Sequence, residues 1–215
     1  MPDMTPVERI TASRRSLFRR GFLVGACLLA LFLLPQLESE THFLPSGLRY
    51  FSTEFWGRQY KIDEIYQVLE KYQTGLSDST KQQLAEVIYE ESVRHNQDPK
   101  LILALIKIES SFKNHSVSEQ GAKGLMQIMP YVAESLAKEL GIEWAGDSTL
   151  FNPMLNIRIG MHYLSQLIRD FKDLGLAITA YNYGPTYVKG LLERNQSVPP
   201  YYYQRILKVY QEETI

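Results

Sequence analysis

The sequence predicts an all-α protein. Proline- and Asx-opened runs recur along it, and inside them apolar residues repeat at three- and four-residue spacing. No alternating strand pattern of any length and no internal repeat interrupts the series.

The N-terminus is a different kind of segment. Arg9, Arg14, Arg15, Arg19 and Arg20 precede the uncharged block "GFLVGACLLALFLL", residues 21–34, and Glu38 follows it. Basic residues before an apolar block and acidic ones after it hold the N-terminus inside and export the remainder. The block is short for a span and has the length of a signal-peptide core. No small-x-small cleavage site follows, however, and Pro35 to Leu37 with snorkelling arginines extend it toward a thin span. Residues 1–37 are therefore expected to be a basic region and membrane anchor, with a signal segment as the alternative. Residues 38–75 read as a stalk, polar and aromatic at first. A short amphipathic helix closes it, with Ile62, Ile65, Tyr66, Leu69 and Tyr72 on one face.

From Leu76 onward helix follows helix, and residues 76–215 are expected to form one domain. "LSDSTKQQLAEVIYEESVRHN" opens on a Ser/Asp/Ser signal and sets Leu84, Val87, Ile88 and Glu91 on one side. Asp98-Pro99 supplies an N-cap and a first-turn proline for the run 100–111. Pro130 opens "PYVAESLAKEL". Asn152-Pro153 opens a run with Leu164, Leu167, Ile168 and Phe171 at helical spacing. Three shorter helices follow in "LGLAITAYNYG", "PTYVKGLLERN" and "PPYYYQRILKVYQEE". Between residues 121 and 130 the glycine-bearing "GAKGLMQIMP" breaks the pattern and predicts a turn close to the end of the preceding helix.

Composition narrows the function. A formal net charge of −1 gives no basic field for nucleic acid. The single cysteine, Cys27, excludes an internal disulfide and a cysteine-based zinc site, and the four histidines lack ligand spacing. No metal or other cofactor is expected.

One carboxylate is out of place. In "LILALIKIESSF" the residues three, four and seven before Glu109 are Ile106, Leu105 and Ile102, so the acid shares their apolar face. Burial disfavours the ionised form and raises a carboxyl's pKa, as a general acid near neutral pH requires. The alternative is a glutamate at a frayed helix end whose head group reaches water past Ser110 and Ser111. In the glycine-bearing turn, Gln127 stands as a polar group between Met126 and Ile128. Leu125, Met126, Ile128 and Met129 have the pattern of core plugs.

Taken together, these pieces resemble the soluble lytic transglycosylase (SLT) domain of bacterial cell-wall enzymes, which is lysozyme-like and related to goose-type lysozyme. The resemblance runs from about Leu76 to Tyr210, through "IESSF", "GAKGLMQIMP", "NPMLNIRIG" and "AYNYGP" in that order. It implies a lysozyme-like helical fold with a short irregular or β-like loop region. It also implies a catalytic glutamate at Glu109-Ser110, and a substrate loop at Gly124-Leu125-Met126-Gln127. Ala180-Tyr181-Asn182 would bind sugar. A tyrosine near the C-terminus would lean on the catalytic acid, with Tyr202 the best match and Tyr203 close behind. Ser110, Met126, Gln127, Tyr181, Asn182 and Tyr202 are thus the expected substrate-side residues. The sequence departs from the pattern at Tyr183, where the family carries alanine, and it lacks the Glu-Thr pair usual before the last tyrosine.

The implied reaction is cleavage of the bond between N-acetylmuramic acid and N-acetylglucosamine in peptidoglycan strands. Glu109 alone would act as acid and then base, leaving 1,6-anhydro ends. A hydrolytic lysozyme on the same scaffold and a non-catalytic glycan-binding subunit of an envelope machine are the competing readings. The expected partners are glycan strands, the membrane through residues 1–37, and proteins of the envelope machinery, at an extracytoplasmic location.

Overall fold

A computed structural model describes residues 46–212. The anchor expected in residues 1–37 lies outside them, and among the described residues no helix is long and apolar enough to cross a membrane. The chain divides into two compact units at Gly57/Arg58. Helix α1 (Ser46–Glu70) is longer than the short helix expected. Ile62, Ile65 and Leu69, assigned from sequence to a stalk, lie in the core of the unit that opens at Arg58.

That unit is built of helices, as expected. α2 (Asp78–Arg94), α3 (Pro99–Ser110), α4 (Pro130–Glu139), α5 (Pro153–Phe171), α6 (Leu174–Tyr183), α7 (Pro185–Glu193) and α8 (Tyr201–Gln211) follow in order. A short 3-10 turn, Asp147–Phe151, precedes α5. It carries no periodic signal that a sequence reading could use.

The helix starts follow local chemistry. The Asp98 carboxylate accepts from the N–H of Lys100 at 2.8 Å, and Pro99 occupies the first turn, where its missing N–H costs nothing. Asn152 caps α5 by accepting from Met154 and Leu155, at 3.1 and 3.2 Å. α3 is the centre of the unit. All six residues from Leu101 to Ile106 are buried, so this stretch of the helix is covered on every side. It packs against α2 and α8, while α5 packs on α2, α4 and α6.

The chain leaves α3 by a strained route. Ser111 and Phe112 both take left-handed backbone conformations, at φ 51° and 62°, which cost a non-glycine residue roughly 1–3 kcal/mol each. Phe112 offsets part of this. It is fully buried and stacks on Tyr72 with ring centroids 4.3 Å apart, and such burial contributes about 2–3 kcal/mol. The end of α3 is therefore pinned rather than frayed. The following residues form the expected β-like region. Lys123 and Ile128 exchange backbone hydrogen bonds at 3.0 and 3.1 Å, and Val117 pairs with Lys123.

Candidate active site

Glu109 sits in the last turn of α3, partly buried, and its carboxyl is the only acid of that helix. Burial pushes its pKa up from 4.5 to about 7. A hydrogen bond from the Tyr202 hydroxyl and the positive charge of Arg205 oppose that rise without cancelling it. At neutral pH a substantial fraction therefore still carries its proton. Among the described residues no other carboxylate acts on it.

Tyr202 comes from the first turn of α8, which lies along α3. It is buried, and its own pKa is held well above 10 by burial first and by the Glu109 charge second. It therefore stays a hydrogen-bond donor throughout the pH range in which Glu109 titrates. Tyr203, the other tyrosine weighed from sequence, packs instead near Gly175. Arg205 follows Tyr202 by three residues, so it rises on the same face of α8.

The glycine-bearing loop is fixed by a residue that the sequence did not single out. Asn156, on α5, is fully buried. Its amide oxygen accepts from the N–H of Met126 at 2.8 Å, and its nitrogen donates to the carbonyls of Lys123 and Leu150, both at 3.0 Å. Gly124 is required by this arrangement. At φ 81°, a Cβ there would stand 2.2 Å from the Asn156 nitrogen. The available signal was an amide inside the otherwise apolar "PMLNIRIGM", which is costly unless paired.

The expected substrate residues divide into two groups. The Met126 side chain is fully buried, with its sulfur over Gly160, where an added Cβ would meet it at 2.4 Å. The buried Ser110 hydroxyl donates to Ile106 of its own helix at 3.2 Å. Both side chains are turned inward and make their contacts within the protein. Gln127 spends its amide nitrogen on the loop, donating to Ser116 and Gly124 at 3.1 and 2.9 Å. Its amide oxygen takes no hydrogen bond from the described residues. Tyr181, buried on α6, donates its hydroxyl to the Met126 carbonyl at 2.8 Å. The Glu109 charge also acts on that hydroxyl, which ties this end of α6 to the acid. Asn182, the next residue, is exposed.

Gln127, Tyr181 and Asn182 line a groove of about 850 Å³ between α4 and the α6–α7 corner. That volume is in the range of ligand sites. Another cavity of about 650 Å³, beside Lys61, Glu64, Asp98 and Lys100, holds none of the expected site residues. Among the described residues no cluster of three or more histidine, cysteine, aspartate or glutamate side chains could hold a metal ion.

A helical domain with one partly buried, proton-bearing carboxyl and a tyrosine bonded to it has the parts a general-acid site requires. Glu109 is not itself among the residues lining the groove, which connects to it through Tyr181. The particular family follows from comparison. The transglycosylase SLT domain model matches residues 86–203, more than half of the chain, and the chain belongs to that family. It is 33% identical over 99 residues to a transglycosylase of Enterobacteria phage PRD1, covering 46% of this chain and 34% of that one. It is 41% identical over 78 residues to the membrane-bound lytic murein transglycosylase E of Buchnera aphidicola, covering 35% of this chain and 37% of that one. The 70 kDa soluble lytic transglycosylase of Escherichia coli shares the fold, with a TM-score of 0.54 at 22% identity, over 71% of this chain and 28% of that one. The chain spans about a third of the length of the curated relatives it matches.

Proposed function

We propose that the chain is a peptidoglycan lytic transglycosylase with Glu109 as its single acid and base. The observation that carries this reading is the Glu109 carboxyl itself, its pKa pushed up to about 7 by burial, with the Tyr202 hydroxyl bonded to it and no second carboxylate among the described residues acting on it. Most glycosidases that use water or a covalent intermediate need two carboxylates flanking the bond. One suffices when the substrate supplies its own nucleophile.

In the proposed reaction Glu109 gives its proton to the glycosidic oxygen between N-acetylmuramic acid and N-acetylglucosamine, and the C1–O bond breaks. The substrate's acetamido group stabilises the positive charge at C1. Glu109, now ionised, takes the proton of the muramic C6 hydroxyl as that oxygen bonds to C1, closing a 1,6-anhydro ring. The carboxyl ends as it began, and no water is consumed. The internal nucleophile draws on proximity, and the proton transfers contribute roughly 10²- to 10⁴-fold. Tyr202 orients the carboxyl, and the loop pinned by Asn156 carries Gln127 at the groove, which Tyr181 joins to the acid. The Asn182 amide and the Gln127 amide oxygen are the polar atoms offered to the sugar. Two of the similar proteins carry names that describe transglycosylases of murein or of unstated substrate, which supports the same reading. An extracytoplasmic location, with attachment through residues 1–37, belongs to this proposal. A relative named as membrane-bound supports it.

The test is digestion of purified sacculi by the full chain, with mass spectrometry of the released ends. Anhydro ends are expected, and none from a folded Glu109→Gln variant. Reducing ends would make the chain a lysozyme. A Gln variant with near wild-type activity would remove Glu109 from the mechanism.

A further inference from the structure

The groove carries aromatic residues that the proposed chemistry does not use. Tyr131 on α4 is 71% exposed, and Tyr183 and Tyr187 at the α6–α7 corner are 40% and 48% exposed. All three line the groove that holds Gln127, Tyr181 and Asn182. Rings this exposed contribute little to the core, and a cluster of them along one concavity marks a binding surface. Tyr183 and Tyr187 stand with ring centroids 6.0 Å apart at 36°, held by a corner whose turn residue, Gly184, has φ 88°. Tyr183 also occupies the position where the resembled pattern carries alanine.

The chemistry of the walls selects the occupant. A tyrosine face suits the apolar C–H face of a pyranose ring, while its hydroxyl and the neighbouring amides suit the polar rim. Ser135, Asn182 and Thr186 line the same groove as the rings, and an aliphatic peptide anchor would leave these groups unpaired. The groove is also continuous with the residues proposed to hold the glycan at Glu109.

We propose that Tyr131, Tyr183 and Tyr187 form an aromatic subsite that stacks an N-acetylhexosamine ring of the same strand, so that affinity rises with strand length. This deepens the reading above and rests on it for the identity of the polymer. The subsite favours long strands over short fragments and makes the three tyrosines specificity-determining residues rather than catalytic ones.

The test uses the full chain carrying Glu109→Gln, so that no cleavage intrudes, with the N-acetylglucosamine dimer and hexamer as probes in calorimetric titration. The hexamer is expected to bind more tightly than the dimer. Adding Tyr183→Ala and Tyr187→Ala should weaken hexamer binding roughly tenfold, while phenylalanine at both positions keeps it within about threefold. Tyr131→Ala, on the opposite wall, gives the same reading should the double variant not fold. Unchanged hexamer affinity in the alanine variants, or equal affinity for dimer and hexamer in the parent, overturns the subsite. Failure of the parent reading is separable. A wild-type chain that makes no anhydro ends while the hexamer affinities fall as stated loses the proposed reaction and keeps the subsite.

Discussion

The Glu109→Gln variant should be more stable than the wild type at alkaline pH and no more stable at acid pH. Burial raises the folded-state pKa of Glu109 from its ordinary 4.5 to about 7. Below pH 4.5 the carboxyl is protonated both folded and unfolded and has no effect on the balance. As pH rises from 4.5 to about 7 the unfolded chain releases the proton more readily than the folded one, so stability falls across that window. The full interval corresponds to about 3 kcal/mol, and partial exposure of the carboxyl reduces it to about 2–3 kcal/mol. Glutamine keeps the volume and still accepts from the Tyr202 hydroxyl, but it has no charge to desolvate. Every other titrating group is common to both proteins and cancels in the comparison. Urea unfolding of the two at pH 4.5 and pH 8 should show a gap that opens by about 2–3 kcal/mol, or roughly 5–10 °C in Tm. A gap that stays constant, or a variant less stable at pH 8, would refute the buried, proton-bearing carboxyl.

Three further outcomes follow from named contacts. Tyr202→Phe removes the hydrogen bond that lowers the Glu109 pKa, so the alkaline limb of the pH profile of kcat/KM should move above that of the wild type. A limb that stays or moves down counts against the pair. Asn156→Leu strands the Met126 N–H and the Leu150 carbonyl, while the Lys123 carbonyl keeps the N–H of Ile128. At about 1–3 kcal/mol for each buried group the domain should lose roughly 2 kcal/mol or more, with sacculus cleavage falling alongside. Asn182→Ala removes an exposed amide, so turnover should drop sharply while Tm stays within about 1 °C, as for other exposed substitutions. A fall in Tm that accounts for the lost activity would make Asn182 a structural residue instead.

Much of the frame was legible because its signals are local. Asp98-Pro99, Asn152-Pro153, Pro130 and Pro185 open helices where the sequence places them, since capping is settled within a few residues of chain. Glu109 was legible for a similar reason. Helical spacing alone puts it on the Ile102, Leu105 and Ile106 face, and all three of those residues are buried. The rest depends on elements distant in sequence. Asn156 meets Met126 thirty residues away, and no local rule says which backbone groups a lone amide will serve. Ser110 and Met126 belong to the resembled motif, yet a motif does not say which way a side chain turns, and packing sends both inward. Periodicity marked the face of Ile62, Ile65 and Leu69 as apolar, but not that the domain core would cover it. The pinned end of α3 rests on Phe112 meeting Tyr72, a contact across forty residues that overrides the frayed end a short helix suggests.

The central claim is that a single carboxyl, with no water, breaks the glycosidic bond. Digesting sacculi with the full chain in ¹⁸O-labelled water and weighing the new muramic ends tests it most directly. Ring closure by the C6 hydroxyl leaves ends that carry no label and lack the mass of one water relative to hydrolysed ends. A labelled oxygen at C1 in the majority of new ends would mean that water attacks the intermediate, and the one-carboxylate transglycosylation would be wrong.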